Sequence, residues 1–425
     1  MADRQVSAPG EGKQMQVGGG NWWRDPMPVA VVSLGVTQIV AWGTTLYALG
    51  VLAMPIATET GWSRSLVFAG LTVGLLGSGF TSAPIGRWTD RIGGRAVMSL
   101  GSLLVAAGLV LLSLASSEWT YLAAWAVLGP AMRMTLYDAA FTALVQVTPS
   151  RGRAAISYLT LFGGFASSVF WPIGHILAQG MGWRNTCLVY AALNLAVCLP
   201  LHWWGLARRE PALVSGTATA SILPDTAAPV LDGKTRTMAM GLFALATSAT
   251  AFVFGAMAVH LPAVLQAHGL AAGVAVTLAS IKGVAQVGGR VCEIVWGKRV
   301  HALDLGRISI AFMPLAFVVL MLGGSSFAAA LSFTILFGIG NGLVTIVRGA
   351  VPLALFGKEG YGTILGILAT PYLILNALAP AVLAVVVDLW GYGAAEAVVL
   401  VAGLIATLAI EAMTIWYRRL SKPAG

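Results

Sequence analysis

Three basic residues and one acid stand deep inside apolar runs of this chain, where charge is costly. Arg133 has Leu128, Ala131 and Met134 around it, Lys282 lies in Ala279-Ser280-Ile281-Lys282-Gly283, and Asp138 and Arg348 occupy the first and a further run. A charged group at the middle of a bilayer costs roughly 2.5–3.5 kcal/mol even on insertion scales, so each must face protein or a wet cavity. Arginine is always charged and offers a planar set of N–H donors that matches a carboxylate. Arg133 is therefore a candidate oxyanion-binding group, with a structural ion pair as the alternative. Lys282 carries a mobile point charge that suits a second anion-binding group or a side chain snorkelling along a cavity wall. Asp138 and Arg348 are further charges at depth, and a carboxylate there can also carry a proton. Asp138 is five residues from Arg133, about 140° around a helix, which makes a local pair awkward.

Softer candidates surround these charges. Gln38, Trp42 and Tyr47 fall at spacings of four and five and would form a polar and aromatic wall, and Trp171 sits in Phe170-Trp171-Pro172, where the proline predicts a kink. Aromatic walls with cationic centres suit an organic anion better than an inorganic one, although packing is the usual role of such rings. His260, near one end of its run, is either interfacial or a proton sensor. No zinc spacing, phosphate-binding loop, dinucleotide fingerprint or nucleophile elbow occurs in a confirming context, so no metal, cofactor or enzymatic role is expected.

The elements that position these residues must be membrane helices. Hydrophobic residues make up 58% of the 425-residue chain and charged residues only 10%, with a mean hydropathy of +0.84. A soluble surface needs about 25% charged residues, so lipid must cover much of this one. Runs long enough to span a bilayer lie near 28–56, 63–86, 96–115, 119–147, 155–179 and 184–204, then near 237–262, 269–296, 305–323, 326–355, 362–387 and 392–416. The expected organisation is an N-terminal tail (1–27), a six-helix bundle (28–206), a linker (207–236) rich in Ala, Thr, Pro and Ser, a second six-helix bundle (237–419) and a short tail (420–425). Cys187, Cys198 and Cys292 read as small apolar residues, and no cleaved leader is expected before the first span.

Twenty of the 25 Lys and Arg residues fall in the tails, the linker and the loops after spans 2, 4, 8 and 10, leaving Arg64 and Arg184 opposite and three within spans. The positive-inside rule then predicts both termini in the cytoplasm. It also accounts for the net charge of +9 without nucleic acid.

The two halves echo one another. Span 2 ends in Gly86-Arg87-Trp88-Thr89-Asp90-Arg91-Ile92-Gly93-Gly94-Arg95, and span 8 ends in Gly289-Arg290-Val291-Cys292-Glu293, so glycine, arginine and acid keep one spacing in both. Duplicated halves are a recognised transporter plan. With twelve spans, the ten residues from Gly86 to Arg95 resemble the signature loop of the major facilitator superfamily, and the resemblance runs from about Met27 to Arg419. It implies an all-α membrane protein of two pseudo-symmetric six-helix bundles around a cavity lined by spans 1, 4, 7 and 10, so that Asp138 and Arg348, on spans 4 and 10, become a candidate gate pair that forms when the cytoplasmic side closes and breaks when it opens. It also implies that Asp90 reaches the start of span 11, near Gly360 to Thr363, and latches the cytoplasmic side. The echo extends that gating role to Glu293 and Arg290. Asp90 among Arg87, Arg91 and Arg95 further predicts a charge network at the rim. Gly61-Trp62-Ser63 with Asp90-Arg91 is similar to the monocarboxylate and oxalate/formate branch.

The expectation is secondary transport of a small organic anion, a monocarboxylate coupled to protons, by a monomer in the plasma membrane. The alternative is an exporter of amphipathic drugs or metabolites, in which Arg133 is structural and the aromatic wall meets the cargo.

Overall fold

A computed structural model describes residues 25–211, 231, 233–297 and 300–420. The rest of the two tails, most of the linker, and Lys298 and Arg299 of the loop after span 8 lie outside the described residues.

The first half comprises α1 (Pro26–Thr44), α2 (Leu49–Thr60), α3 (Arg64–Ile92), α4 (Gly94–Ser113), α5 (Glu118–Thr135), α6 (Tyr137–Val147), α7 (Gly152–Gly164), α8 (Ala166–Leu193) and, after a π-helical turn at Asn194–Cys198, α9 (Leu199–Gly205). The second half comprises α10 (Gly233–Ala267), α11 (Ala272–Trp296), α12 (Ala302–Gly323), α13 (Phe327–Phe356) and α14 (Tyr361–Leu420). Local chemistry marks several starts. The Asp25 carboxylate accepts from Met27 N–H, with Pro26 in the first turn, and Ser63 and Ser117 cap α3 and α5 in the same way.

Nine continuous helical runs among the described residues are long and apolar enough to cross a membrane. Two of them are double crossings. At about 1.5 Å per residue, the 60 residues of α14 are far longer than one bilayer requires. Gly391 reverses that chain at φ 78°, as Gly182 reverses α8 at φ 80°. Only glycine takes this conformation without a Cβ penalty. Each glycine lies between the fifth and sixth span of its half and precedes an aromatic ring, Trp183 or Tyr392, a second echo of the repeat. With α5 and α6 together forming span 4, the chain makes twelve crossings in two bundles of six.

Three spans are less regular than the sequence suggests. Span 1 is interrupted between Thr44 and Leu49, and span 4 breaks at Leu136, whose backbone is extended. In span 5 the interruption falls at Phe165, while the expected kink site, Pro172, is carried inside α8. In the first bundle, spans 1, 3 and 6 are joined by a buried polar set: His202 bonds Ser102 at 2.9 Å and Thr37 at 3.0 Å, and Asn194 donates to Thr44 at 3.0 Å. These bonds satisfy groups that would otherwise be costly in a dry interior.

Candidate gate and cavity charges

Asp25 before α1 and Glu210 after α9 meet Arg151 after span 4, and Leu231 before α10 bonds the Leu355 carbonyl at the end of span 10; this end of the molecule is called here the basic face. There Asp90, near the end of α3, crosses to the other bundle and meets the first turn of α14. Its carboxylate accepts from Gly362 N–H at 2.8 Å, Thr363 N–H at 2.7 Å and the Thr363 hydroxyl at 2.6 Å. The first N–H groups of a helix have no partner within it and carry its positive dipole end, so an acid fits. The crossing needs close backbones: a Cβ on Gly86 would lie 2.2 Å from the Gly362 carbonyl oxygen. Gln146 of α6 braces the loop behind, donating to the Thr89 carbonyl at 2.9 Å and accepting from Gly94 N–H at 2.8 Å. The expected rim network differs in form. Arg87 and Arg91 are exposed and form no ion pair among the described residues, because both Asp90 oxygens are taken by α14.

The echo at the end of α11 uses its other charge. Arg290, 2% exposed, reaches across to α7 and donates to the Thr160 carbonyl at 2.6 Å, while its remaining N–H groups meet Gly342 O and the Thr345 hydroxyl of α13. Glu293 stays nearer the rim, 3.6 Å from Arg153, which also donates to the Gly297 carbonyl at 3.2 Å. Beside it, Arg151 ties the chain before α1 to the chain after α9, holding Asp25 and Glu210 at 2.6 Å each. Hydrogen bonds from Arg151 pull the Asp25 carboxyl below its ordinary range. For Glu210, burial pushes upward, but hydrogen bonds from Ser150 and Arg151 more than offset it and the net direction is down.

Between these clasps lie the interior charges. Arg348 of α13 donates to Asp138 of α6 at 3.0 Å, joining spans 4 and 10 of opposite bundles. Its guanidinium also sits 3.7 Å from the centre of the Tyr372 ring. Asp138 and Arg348 line a small pocket with Phe243, Thr247 and Leu368. Arg133, 3% exposed, is held by a hydrogen bond from its Nε to the Ser82 hydroxyl, and no carboxylate lies within 4.0 Å of it among the described residues. Asp138 is separated from it by the break at Leu136. Lys282 Nζ stands 5.7 Å from the Phe337 ring centre and has no ion pair among the described residues. The small flank of Lys282 does let span 10 approach, since a Cβ on Gly338 would lie 2.5 Å from the Lys282 carbonyl.

The aromatic candidates converge in the first bundle. Trp42 lies 5.9 Å from Tyr47 and 5.2 Å from Tyr137 by ring centres, and Tyr47 meets Trp171 edge-on at 6.3 Å. Gln38 is fully buried. Its amide donates to the Thr135 carbonyl at 2.7 Å, at the end of α5, and accepts from the Trp42 indole at 3.1 Å. Gln38 thus fixes the Trp42 ring and caps the broken helix. His260 bonds the Pro380 carbonyl at 3.0 Å, tying span 7 to span 11.

Residues 34–330 match the family model for the Major Facilitator Superfamily. The chain belongs to the major facilitator superfamily. Solved structures agree with that membership at the level of the fold. The chain is similar to the transporter FucP in the outward conformation (TM-score 0.70, 14% identity, 91% of this chain and 99% of that one). It is similar to the proton:xylose symporter XylE bound to 6-bromo-6-deoxy-D-glucose (0.66, 13%, 94% and 100%). It is also similar to the human organic anion transporter TETRAN (0.65, 18%, 91% and 99%). No curated protein matches the chain by sequence.

In this superfamily member, every hydrogen bond between the bundles among the described residues lies toward the basic face, through Asp90, Arg290, Arg153 and Arg348. The molecule is therefore closed on that side. Several contributors escape a sequence reading: Ser82, Gln146, Thr160, Tyr137 and Tyr372 are ordinary polar or aromatic residues in apolar runs. Only the helix break at Leu136 and contacts across some 20 to 270 positions of sequence, as from Tyr137 to Thr160 or from Asp90 to Thr363, mark them out.

Proposed function

We propose that this transporter carries a small organic anion, a monocarboxylate in the first instance, with protons, by alternating access between the two bundles. The observation that carries the reading is a set of interior cations that lack a neighbouring counter-charge. Arg133, Arg290 and Lys282 have no carboxylate within 4.0 Å among the described residues, and Arg348 alone is matched, by Asp138. Buried cations without counter-charge are costly, and an anionic cargo between the bundles supplies that charge in the state that binds it. Arg133, Lys282 and Arg348 would hold the carboxylate. Trp42, Tyr47 and Trp171, set by Gln38, would meet its organic part. Asp138 is the acid placed to exchange Arg348 for a proton when the basic face opens. Asp90, Arg290 and Glu293 would form the gate, with Arg87 and Arg91 as solvated anchors beside it. The positive-inside rule supports a cytoplasmic basic face, and the plasma membrane is the proposed site of transport. Because this fold also serves a sugar symporter, the cargo class rests on these charges and not on the architecture.

Uptake of labelled monocarboxylates into proteoliposomes under an imposed pH gradient tests the reading. Saturable uptake should be stimulated by the gradient, abolished in Arg133→Gln with the protein still monodisperse, and impaired in Arg133→Lys, which keeps charge but loses the planar donors. Full saturable uptake by Arg133→Gln would overturn the anion assignment.

A further inference from the structure

The basic face carries a second cluster of arginines, behind the Asp90 clasp, where the start of α4 packs on the end of α9. The Arg95 guanidinium lies over the Trp203 ring at 4.1 Å, and its Nε is buried without a hydrogen-bond partner among the described residues. Arg209, exposed, brings Nη2 to 3.5 Å from where a Cβ on Gly93 would stand, so the arginines of the two segments converge on one turn. Arg95 and Arg209 have no carboxylate within 4.0 Å among the described residues, and the nearby Asp90 is engaged by α14.

The surroundings are those of a membrane boundary. Trp203 is 48% and Trp204 70% exposed, and Leu100 and Leu103 continue an exposed apolar strip along α4 away from the arginines. Tryptophan favours the headgroup level of a bilayer, and arginine matches phosphate oxygens with paired N–H donors. A soluble anion would use the arginines but leave the tryptophans and the leucine strip without a role.

We propose that this cleft binds the phosphate of an anionic phospholipid headgroup, with the acyl chains against Leu100 and Leu103. The proposal takes the cytoplasmic placement of the basic face from the reading above but does not depend on the cargo. Cytoplasmic leaflets are rich in anionic lipid, and each basic residue at such a surface adds to the attraction. A headgroup seated at Gly93 and Arg95 also holds the turn that follows Asp90.

The test compares the full-length protein, the double variant Arg95→Gln/Arg209→Gln and the control Lys358→Gln, an exposed basic residue elsewhere on the same face. Phosphatidylglycerol bound per protein is read by native mass spectrometry, with phosphatidylcholine and inorganic phosphate as separate arms. The expected result is one retained phosphatidylglycerol whose affinity falls roughly 30-fold in the double variant, the loss expected for two basic residues at the surface. The control should match wild type, phosphatidylcholine should not be retained, and phosphate should neither bind nor raise the melting temperature. The single variant Arg209→Gln, on an exposed side chain, should fold normally and show part of the loss. Equal retention by the double variant and the control would overturn the site, and protection by phosphate alone would overturn its assignment to a lipid. Unchanged proton-driven uptake in any arm bears on the cargo reading only.

Discussion

The clasps of the two halves start from the same spacing of glycine, arginine and acid, yet different charges make the crossing. In the first half Asp90 crosses and Arg87 stays in solvent. In the second both charges reach α7: Arg290 is buried against the Thr160 carbonyl, and Glu293, also buried, lies 3.6 Å from Arg153. The difference lies in what each loop meets. Asp90 arrives at the first turn of α14, where unpaired N–H groups call for an acceptor. Arg290 arrives at α7 beside the Thr160 carbonyl, which also takes the Tyr137 hydroxyl, and carbonyl and hydroxyl oxygens call for a donor. A duplicated motif has thus met a helix start in one half and oxygen acceptors in the other, and each surrounding selects a residue of suitable sign.

The largest effect is expected between the clasps, where both bundles share one ion pair. Asp138→Asn leaves Arg348 buried without its partner and should cost about 3–5 kcal/mol, seen as a lowered melting temperature of the purified protein. The double variant Asp138→Asn/Arg348→Gln should recover most of that loss, and failure to recover would show that the two side chains are not coupled. At the first clasp, Asp90→Asn removes the charge from three hydrogen bonds, a loss of about 2 kcal/mol, or roughly 30-fold in the closed population. Maleimide labelling of Leu368→Cys from the basic face should rise accordingly. Arg290→Lys keeps the charge but cannot serve three acceptors, so the same label should report a smaller opening, about 1 kcal/mol. If the lysine variant opened more than Asp90→Asn, the acid clasp would not be the stronger of the two.

The smallest effect concerns pH. Asp25 and Glu210 have carboxyl pKa values lowered in the folded protein, chiefly by Arg151 for Asp25 and by Ser150 and Arg151 against burial for Glu210. Depressed carboxyl values mean stability that is present above the unfolded pKa of about 4 and lost as pH falls through the folded values. Arg151 and Asp25 are well exposed, so solvent screening keeps the contribution well under about 1 kcal/mol. The melting temperature of wild type should exceed that of Arg151→Gln by a constant margin above pH 5, and the margin should shrink below pH 4.

Much of this was legible in the chain. Apolar runs of sufficient length gave all twelve crossings, because a bilayer permits few alternatives to a helix. The insertion cost of a lone charge singled out Arg133, Asp138, Lys282 and Arg348. The Asp138–Arg348 pair was legible as well, and so, through the family resemblance, was the meeting of Asp90 with the start of span 11, where the carboxylate lies on Gly362 and Thr363. The partner of Arg133 was not: an acid was the alternative, and the structure gives it Ser82. The sequence predicted a kink at Pro172, which α8 carries inside the helix, whereas span 5 is interrupted at Phe165 and span 4 at Leu136, where Gln38 supplies a bond to the Thr135 carbonyl.

Composition and periodicity alone determined that the chain lies in a membrane, how many times it crosses, which face is basic and which charges are out of place. These properties sum over local residues and depend little on neighbours in space. The tertiary structure decided which groups meet: which charge of each repeated motif crosses, where span 4 breaks, and which arginines share a surface. A hydrogen bond between residues 90 and 363 depends on how two bundles dock, and that is fixed by the shapes of many helices together and by no local pattern.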